Sequence, residues 1–133
     1  MDAVHFFEAL RLAVYAPENK ALYLLAVICG LMVLDFITGT VAAWVNPTIA
    51  FKSRIGINGI LRKMCSILVL IACIPVAPLI PADAGVTALI VLYLGYMLME
   101  FSSILENLAK MGVDIKFFSA FVERLKGKED KHE

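Results

Sequence analysis

Charged residues are scarce in this sequence: 18% of 133 residues, against 61% hydrophobic, with a mean hydropathy of +0.84. Soluble domains carry about 25% charge, so a soluble globular body is excluded. Histidine is scarcer still, with only His5 and His132. The serines Ser53, Ser66, Ser102 and Ser103 therefore have no base within a plausible span, and a nucleophilic triad is incomplete. Cys29, Cys65 and Cys73 all lie in apolar runs without C-x-x-C spacing, which reads as small buried apolar residues rather than a metal site or a disulfide. No glycine-rich phosphate loop follows a strand, and the basic segment after residue 46 has no aromatic interleaving beyond Phe51. ATP use and nucleic-acid binding are thereby excluded. These absences argue against an enzyme and call for no cofactor and no metal.

What is present is a series of long apolar runs. Basic and acidic residues balance at 12 each, so their placement carries more than their sum. Residues 1–16 contain Asp2 and Glu8 but no Lys or Arg before Arg11, which argues against a cleaved signal peptide. Val4, Phe7, Leu10 and Val14 recur at helical spacing, predicting an amphipathic surface helix that Ala16, Pro17, Glu18 and Asn19 break. Residues 21–45 hold a single charge, Asp35, in 25 residues, enough for a tilted helix across about 30 Å of hydrocarbon. Trp44 stands at the headgroup level, and Asn46 and Pro47 stop the helix.

Residues 46–63 read as a cytoplasmic loop, since Lys52, Arg54, Arg62 and Lys63 are accompanied by no acid. Residues 64–80 form a second span of 17 uncharged residues, with Pro75, Pro78 and Pro81 predicting an extended or kinked far end. Residues 85–105 form a third span containing Glu100. The tail, residues 106–133, carries six basic and six acidic residues. Its Ile115, Phe118, Val122, Leu125 stripe predicts a second amphipathic helix before a disordered KGKEDKHE end. The fold class is thus an all-α membrane protein: one membrane domain of three transmembrane helices flanked by two amphipathic ones. The basic loop and Lys-rich tail place the N-terminus outside and the C-terminus inside.

Two polar stripes interrupt the spans. A charge at a span centre costs about 2.5–3.5 kcal/mol on insertion scales, so Asp35 must face protein, water or a proton. Thr38, Gly39 and Ala42 share its face, with small residues allowing close helix approach. Either a structural helix contact or a pore-lining, protonation-sensitive role fits. In span three Glu100 follows Tyr93 and Tyr96 at helical spacing and precedes Ser103, while Gly95 and Ser102 on a neighbouring face could seat another helix. Glu100 either reaches the interface or pairs with Arg62 or Lys63.

Three segments together resemble the phage holin family that includes clostridial toxin-secretion holins. They are Asp35-Phe-Ile-Thr-Gly39, then Phe51-Lys-Ser-Arg-Ile-Gly-Ile-Asn-Gly-Ile-Leu-Arg-Lys63 with Ser53, Gly56, Gly59 and the basic pair, and Glu100-Phe-Ser-Ser-Ile-Leu-Glu-Asn-Leu-Ala-Lys-Met-Gly-Val113 with Glu106, Asn107 and Gly112. The resemblance runs over 79 residues, 35–113, and departs from the family at Asp114 and Lys116, where many relatives carry proline. It implies a protein that self-associates in the lipid bilayer of the bacterial cytoplasmic membrane. Its holes would release an endolysin to the cell wall for lysis, or export a toxin or hydrolase. A small channel or accessory membrane protein is the reading from a different class.

Overall fold

The computed structural model describes residues 2–15, 17–49 and 53–129. Five α-helices follow one another: α1 (Ala3–Tyr15), α2 (Pro17–Val45), α3 (Ser53–Val76), α4 (Ala84–Lys110) and α5 (Lys116–Glu129). A 3₁₀ turn, Ala77–Leu79, lies between α3 and α4. No strand occurs among the described residues. Three helices are long and apolar enough to cross a membrane, over Asn19–Val45, Gly56–Leu79 and Ala84–Lys110.

Each of the three long helices begins further upstream than charge counting suggests. Pro17 does not break α2 but opens it, because a fixed φ and a missing N–H cost nothing at the first helical position. Glu18 and Asn19 accordingly lie inside α2. The expected loop over residues 46–63 is mostly helix, since α3 starts at Ser53. Ile55, Ile57, Ile60 and Leu61 make that stretch a helix former despite Gly56 and Gly59, each of which costs only about 1 kcal/mol relative to Ala. Arg62 and Lys63 therefore sit on a helix inside the second candidate span rather than ahead of it. At the other end α3 runs through Pro75 to Val76 and gives way to the 3₁₀ turn, in line with the proline spacing.

α2 and α4 run parallel and pack along their length, while α3 returns between them and touches each far less. Ala21, Leu24, Ile28 and Met32, one stripe of α2, meet Leu89 and Tyr93 of α4 and Leu70 and Ala77 from the α3 side. Ile28 and Tyr93 are fully buried. The Tyr93 hydroxyl donates to the Leu70 carbonyl at 2.5 Å, next to the Ile71 carbonyl that Pro75 leaves without its helical donor. Gly85 seats the start of α4 on the 3₁₀ turn, where an added Cβ would stand 1.9 Å from the Ala77 carbonyl oxygen.

The far ends of α2 and α4 are tied by Asn46, whose Nδ2 donates to the Lys110 carbonyl at 3.1 Å. α4 closes in a Schellman motif with Gly112 at φ 86°. Gly112 N–H donates to Ala109 at 2.9 Å and Val113 N–H to Leu108 at 3.1 Å, the pairing that needs a left-handed residue there. Asp114 then accepts from the Lys116 N–H at 3.1 Å and caps α5. That helix extends to Glu129, covering the first part of the expected disordered end; residues 130–133 lie outside the described residues. Cys65 also differs from expectation: it is exposed, and only Cys29 and Cys73 are partly buried, because most of α3 faces away from the other helices.

Candidate functional site

The polar groups inside the spans converge on one level of the bundle. Asp35 lies sixteen residues from Asn19, Lys63 sixteen from Leu79, and Glu100 sixteen from Ala84, about 24 Å along each helix from the end near Pro81. Lys63 Nζ contacts Asp35 Oδ2 at 2.9 Å and also pairs with Glu100 Oε2. One ammonium on α3 therefore bridges a carboxylate on α2 and another on α4. The Glu100 and Asp35 side chains are 9% and 12% exposed and that of Lys63 25%, so the acids are enclosed while the amine reaches in from one side.

Asn107, two helical turns beyond Glu100, completes the cluster. Its Nδ2 lies 2.9 Å from Asp35 Oδ1, 3.2 Å from the Asp35 carbonyl and 3.1 Å from Thr38 Oγ1. With two hydrogens for three acceptors, one of these contacts is shared. The Thr38 hydroxyl donates to the Asp35 carbonyl at 3.1 Å. Gly39 faces the same asparagine: a Cβ there would sit 3.4 Å from Asn107 Nδ2, an ordinary van der Waals contact. Ala42, 1% exposed, continues the small-residue face on which α4 lies.

Of the residues singled out from sequence, Asp35, Thr38, Gly39 and Glu100 are brought together, and Lys63 rather than Arg62 is the partner of Glu100. Arg62 is exposed. Tyr96 packs against the apolar cluster instead, and Ser103 is half-buried. Gly56 and Gly59 have open space where a side chain would project, and Glu106 is exposed. Ser53 and Arg54 belong to the first turn of α3; Lys52 lies outside the described residues. Sequence reasoning left Asn107 as a motif residue without a contact. The available signal was its spacing of seven from Glu100, which puts both on one helical face.

Chemically, the cluster can tie three helices together and can hold a proton. With both carboxylates ionised its formal charge is −1; one bound proton neutralises it. Among the described residues no group of three or more His, Cys, Asp or Glu side chains converges as a metal site would require. Beside the cluster, Cys29, Met32, Val33, Phe36, Ile60, Met64 and Ile67 line an apolar groove open between α2 and α3, with Lys63 at its edge.

Comparison with known proteins gives the family. The model of the bacteriophage holin family matches residues 16–127. The chain is 36% identical over 111 residues to a probable holin of Bacillus phage phi105, covering 82% of this chain and 77% of that one. It is 30% identical over 132 residues to an antiholin of Bacillus phage PZA, covering 96% and 94%. An uncharacterized protein of Halalkalibacterium halodurans is 33% identical over 129 residues, covering 90% and 93%. No solved structure matches the chain. The chain belongs to the bacteriophage holin family and is a multi-pass membrane protein of holin type.

Proposed function

We propose that this member of the bacteriophage holin family is itself the hole former. It accumulates in the cytoplasmic membrane of the bacterial host, associates with copies of itself, and opens lesions through which an endolysin reaches the cell wall. The observation that carries this reading is the Asp35–Lys63–Glu100 cluster. In a lone bundle the cluster is turned inward and tolerable to lipid. If α3 swings away from the α2–α4 pair, the same groups become the polar lining of a wider assembly. Gly95, with open space where a side chain would project, offers a small-residue seat on α4 for a second copy. The chain contributes no chemistry of its own to wall cleavage and needs no cofactor.

Inducible expression with membrane potential and culture density followed together tests the reading. Abrupt depolarisation followed by release of cytoplasmic protein is expected, and Asp35→Asn, which keeps shape but removes charge, should shift its timing. Expression without depolarisation would overturn it. A second reading rests on the relatives of phages PZA and phi29 that are named antiholins: a regulator that is silent alone and delays the lysis caused by a separate hole former. Co-expression with such a protein separates the two, since a hole former advances lysis and a regulator retards it. Export of a toxin instead of an endolysin would use the same lesion.

The proposed orientation is N-terminus out and C-terminus in. With native cysteines removed, a cysteine at Asp2 or Asp83 should react with an impermeant reagent in intact cells, and one at Lys126 should not. The reverse pattern would overturn it.

A further inference from the structure

The tail helix carries a face that nothing in the bundle uses. On α5, Phe117 is 80% exposed, Phe121 53% and Phe118 43%, whereas Val122 is 5% exposed. At 100° per residue Val122 lies about 140° round the helix from Phe117, so one edge is held against the bundle and the opposite edge projects a ridge of three phenylalanines. The expected stripe of Ile115, Phe118, Val122 and Leu125 is therefore the inner flank of the apolar face, and its outer flank is Phe117 and Phe121. Phe117 and Phe118 pack edge to face with ring centroids 5.8 Å apart, which stiffens the ridge.

We propose that α5 is a lipid-surface foot, its phenylalanine ridge seated at the headgroup boundary of an anionic leaflet and Arg124 on a lipid phosphate. Four observations combine. First, α5 begins six residues after Lys110, the last residue of the α4 span, so its first turn lies near the membrane surface. Second, the Schellman turn at Gly112 and the Asp114 cap fix the chain's change of direction between the two helices. Third, Arg124 falls seven residues after Phe117, on the edge of the ridge, where its stem can lie along the phenylalanines while the guanidinium reaches a phosphate. Lys116 and Lys126 are exposed near the two ends of the helix and, like the exposed Glu123, lie on the side away from the ridge. Fourth, Arg124 gives the edge of the ridge a cation while Glu123 points away from it, so that edge is complemented by an anionic leaflet.

The test uses the full chain in vesicles and needs no lysis, so its failure is distinguishable from failure of the hole-forming reading. Trp44, the sole tryptophan, is replaced by Phe, and Phe117→Trp supplies a single reporter on the ridge. In phosphatidylcholine vesicles containing phosphatidylglycerol the indole should emit at short wavelength and be quenched by brominated acyl chains. In phosphatidylcholine alone both effects should weaken. Adding Arg124→Gln should lower the ratio of docked to free helix by roughly five-fold. Chains retaining Trp44, which lies at the end of α2, report insertion separately. Emission of a water-exposed indole in both lipids, with Trp44 still quenched, would overturn the proposal. Equal quenching with and without the anionic lipid would overturn its electrostatic part. A blue shift that disappears on diluting the protein in lipid would assign the ridge to another copy instead.

Discussion

Within a single helical turn, between Met32 and Asp35, the bundle changes from one kind of adhesion to another. Toward Pro81 the helices meet through Ile28, Met32, Leu70, Leu89 and Tyr93; toward Lys110 they meet through Asp35, Lys63, Glu100 and Asn107. In a bilayer the first kind gains nothing from excluding water, because lipid tails are as apolar as leucine. It is specified by shape, most sharply where Gly85 lets α4 rest on the 3₁₀ turn. The second kind is specified by chemical identity, since a buried carboxylate tolerates few partners. A shape-fitted half holds one geometry. A charge-fitted half holds until its charges are offered something else, which is what the proposed change from bundle to assembly requires.

Removing the shared cation should break that contrast most severely. Lys63→Met leaves two enclosed carboxylates without their counter-ion, and breaking a buried pair from one side costs about 3 kcal/mol or more. The thermal midpoint in detergent, followed by a thiol-reactive dye at Cys29 and Cys73, should fall by many degrees. Combining Asp35→Leu, Lys63→Met and Glu100→Leu should restore much of that stability, because an all-apolar replacement leaves no orphan charge, while abolishing depolarisation in cells. A triple variant that still depolarises would detach the cluster from the function.

Gly85→Val tests the other half. The added carbon would overlap the Ala77 carbonyl, so α4 must shift, at about 1–3 kcal/mol for an overpacked contact. Its loss should be seen at the turn, as faster proteolysis between α3 and α4, with the Lys63 pairing unaffected. Should Gly85→Val instead impair pairing as strongly as Lys63→Met, the two halves are one cooperative unit and the contrast drawn between them fails.

The spans themselves were legible because a charge-poor run of some twenty residues has few other destinies. Asp35 and Glu100 announced themselves by cost alone. Sequence offered Lys63 as one of two partners for Glu100; what it could not show was that the same ammonium also reaches Asp35. The orientation rule counts basic residues without asking whether they lie on loop or helix, and four cations with two glycines read as loop. Asn107 was visible only as a motif member, since a neutral amide in a polar stretch carries no burial penalty that flags it. Gly85 was less legible still: beside a proline-rich turn it looks like any turn glycine, and its necessity depends on a carbonyl eight residues away that only the folded chain brings near. The tail helix was expected from its apolar stripe, but the turn at Gly112 that joins it to α4 was not, since there Gly112 stood only as a motif residue.

The smallest expected effect lies in the turn beside Gly85 and sharpens the idea that this end is shape-limited. Ala82 and Asp83 both adopt φ 58°, and a left-handed residue with a Cβ costs about 1–2 kcal/mol. Aspartate tolerates that region better than alanine does, so Ala82 bears more of the cost. Ala82→Gly removes it but gives the unfolded chain more freedom to lose, about 0.5–1 kcal/mol. The net gain should be about 0.5–1 kcal/mol, a rise of a few degrees in the same dye-monitored midpoint, with depolarisation timing unchanged because the turn lies some 24 Å along the helices from the charged cluster. An unchanged or lowered midpoint would mean that the turn relaxes without penalty and that Gly85 alone sets the geometry of this end.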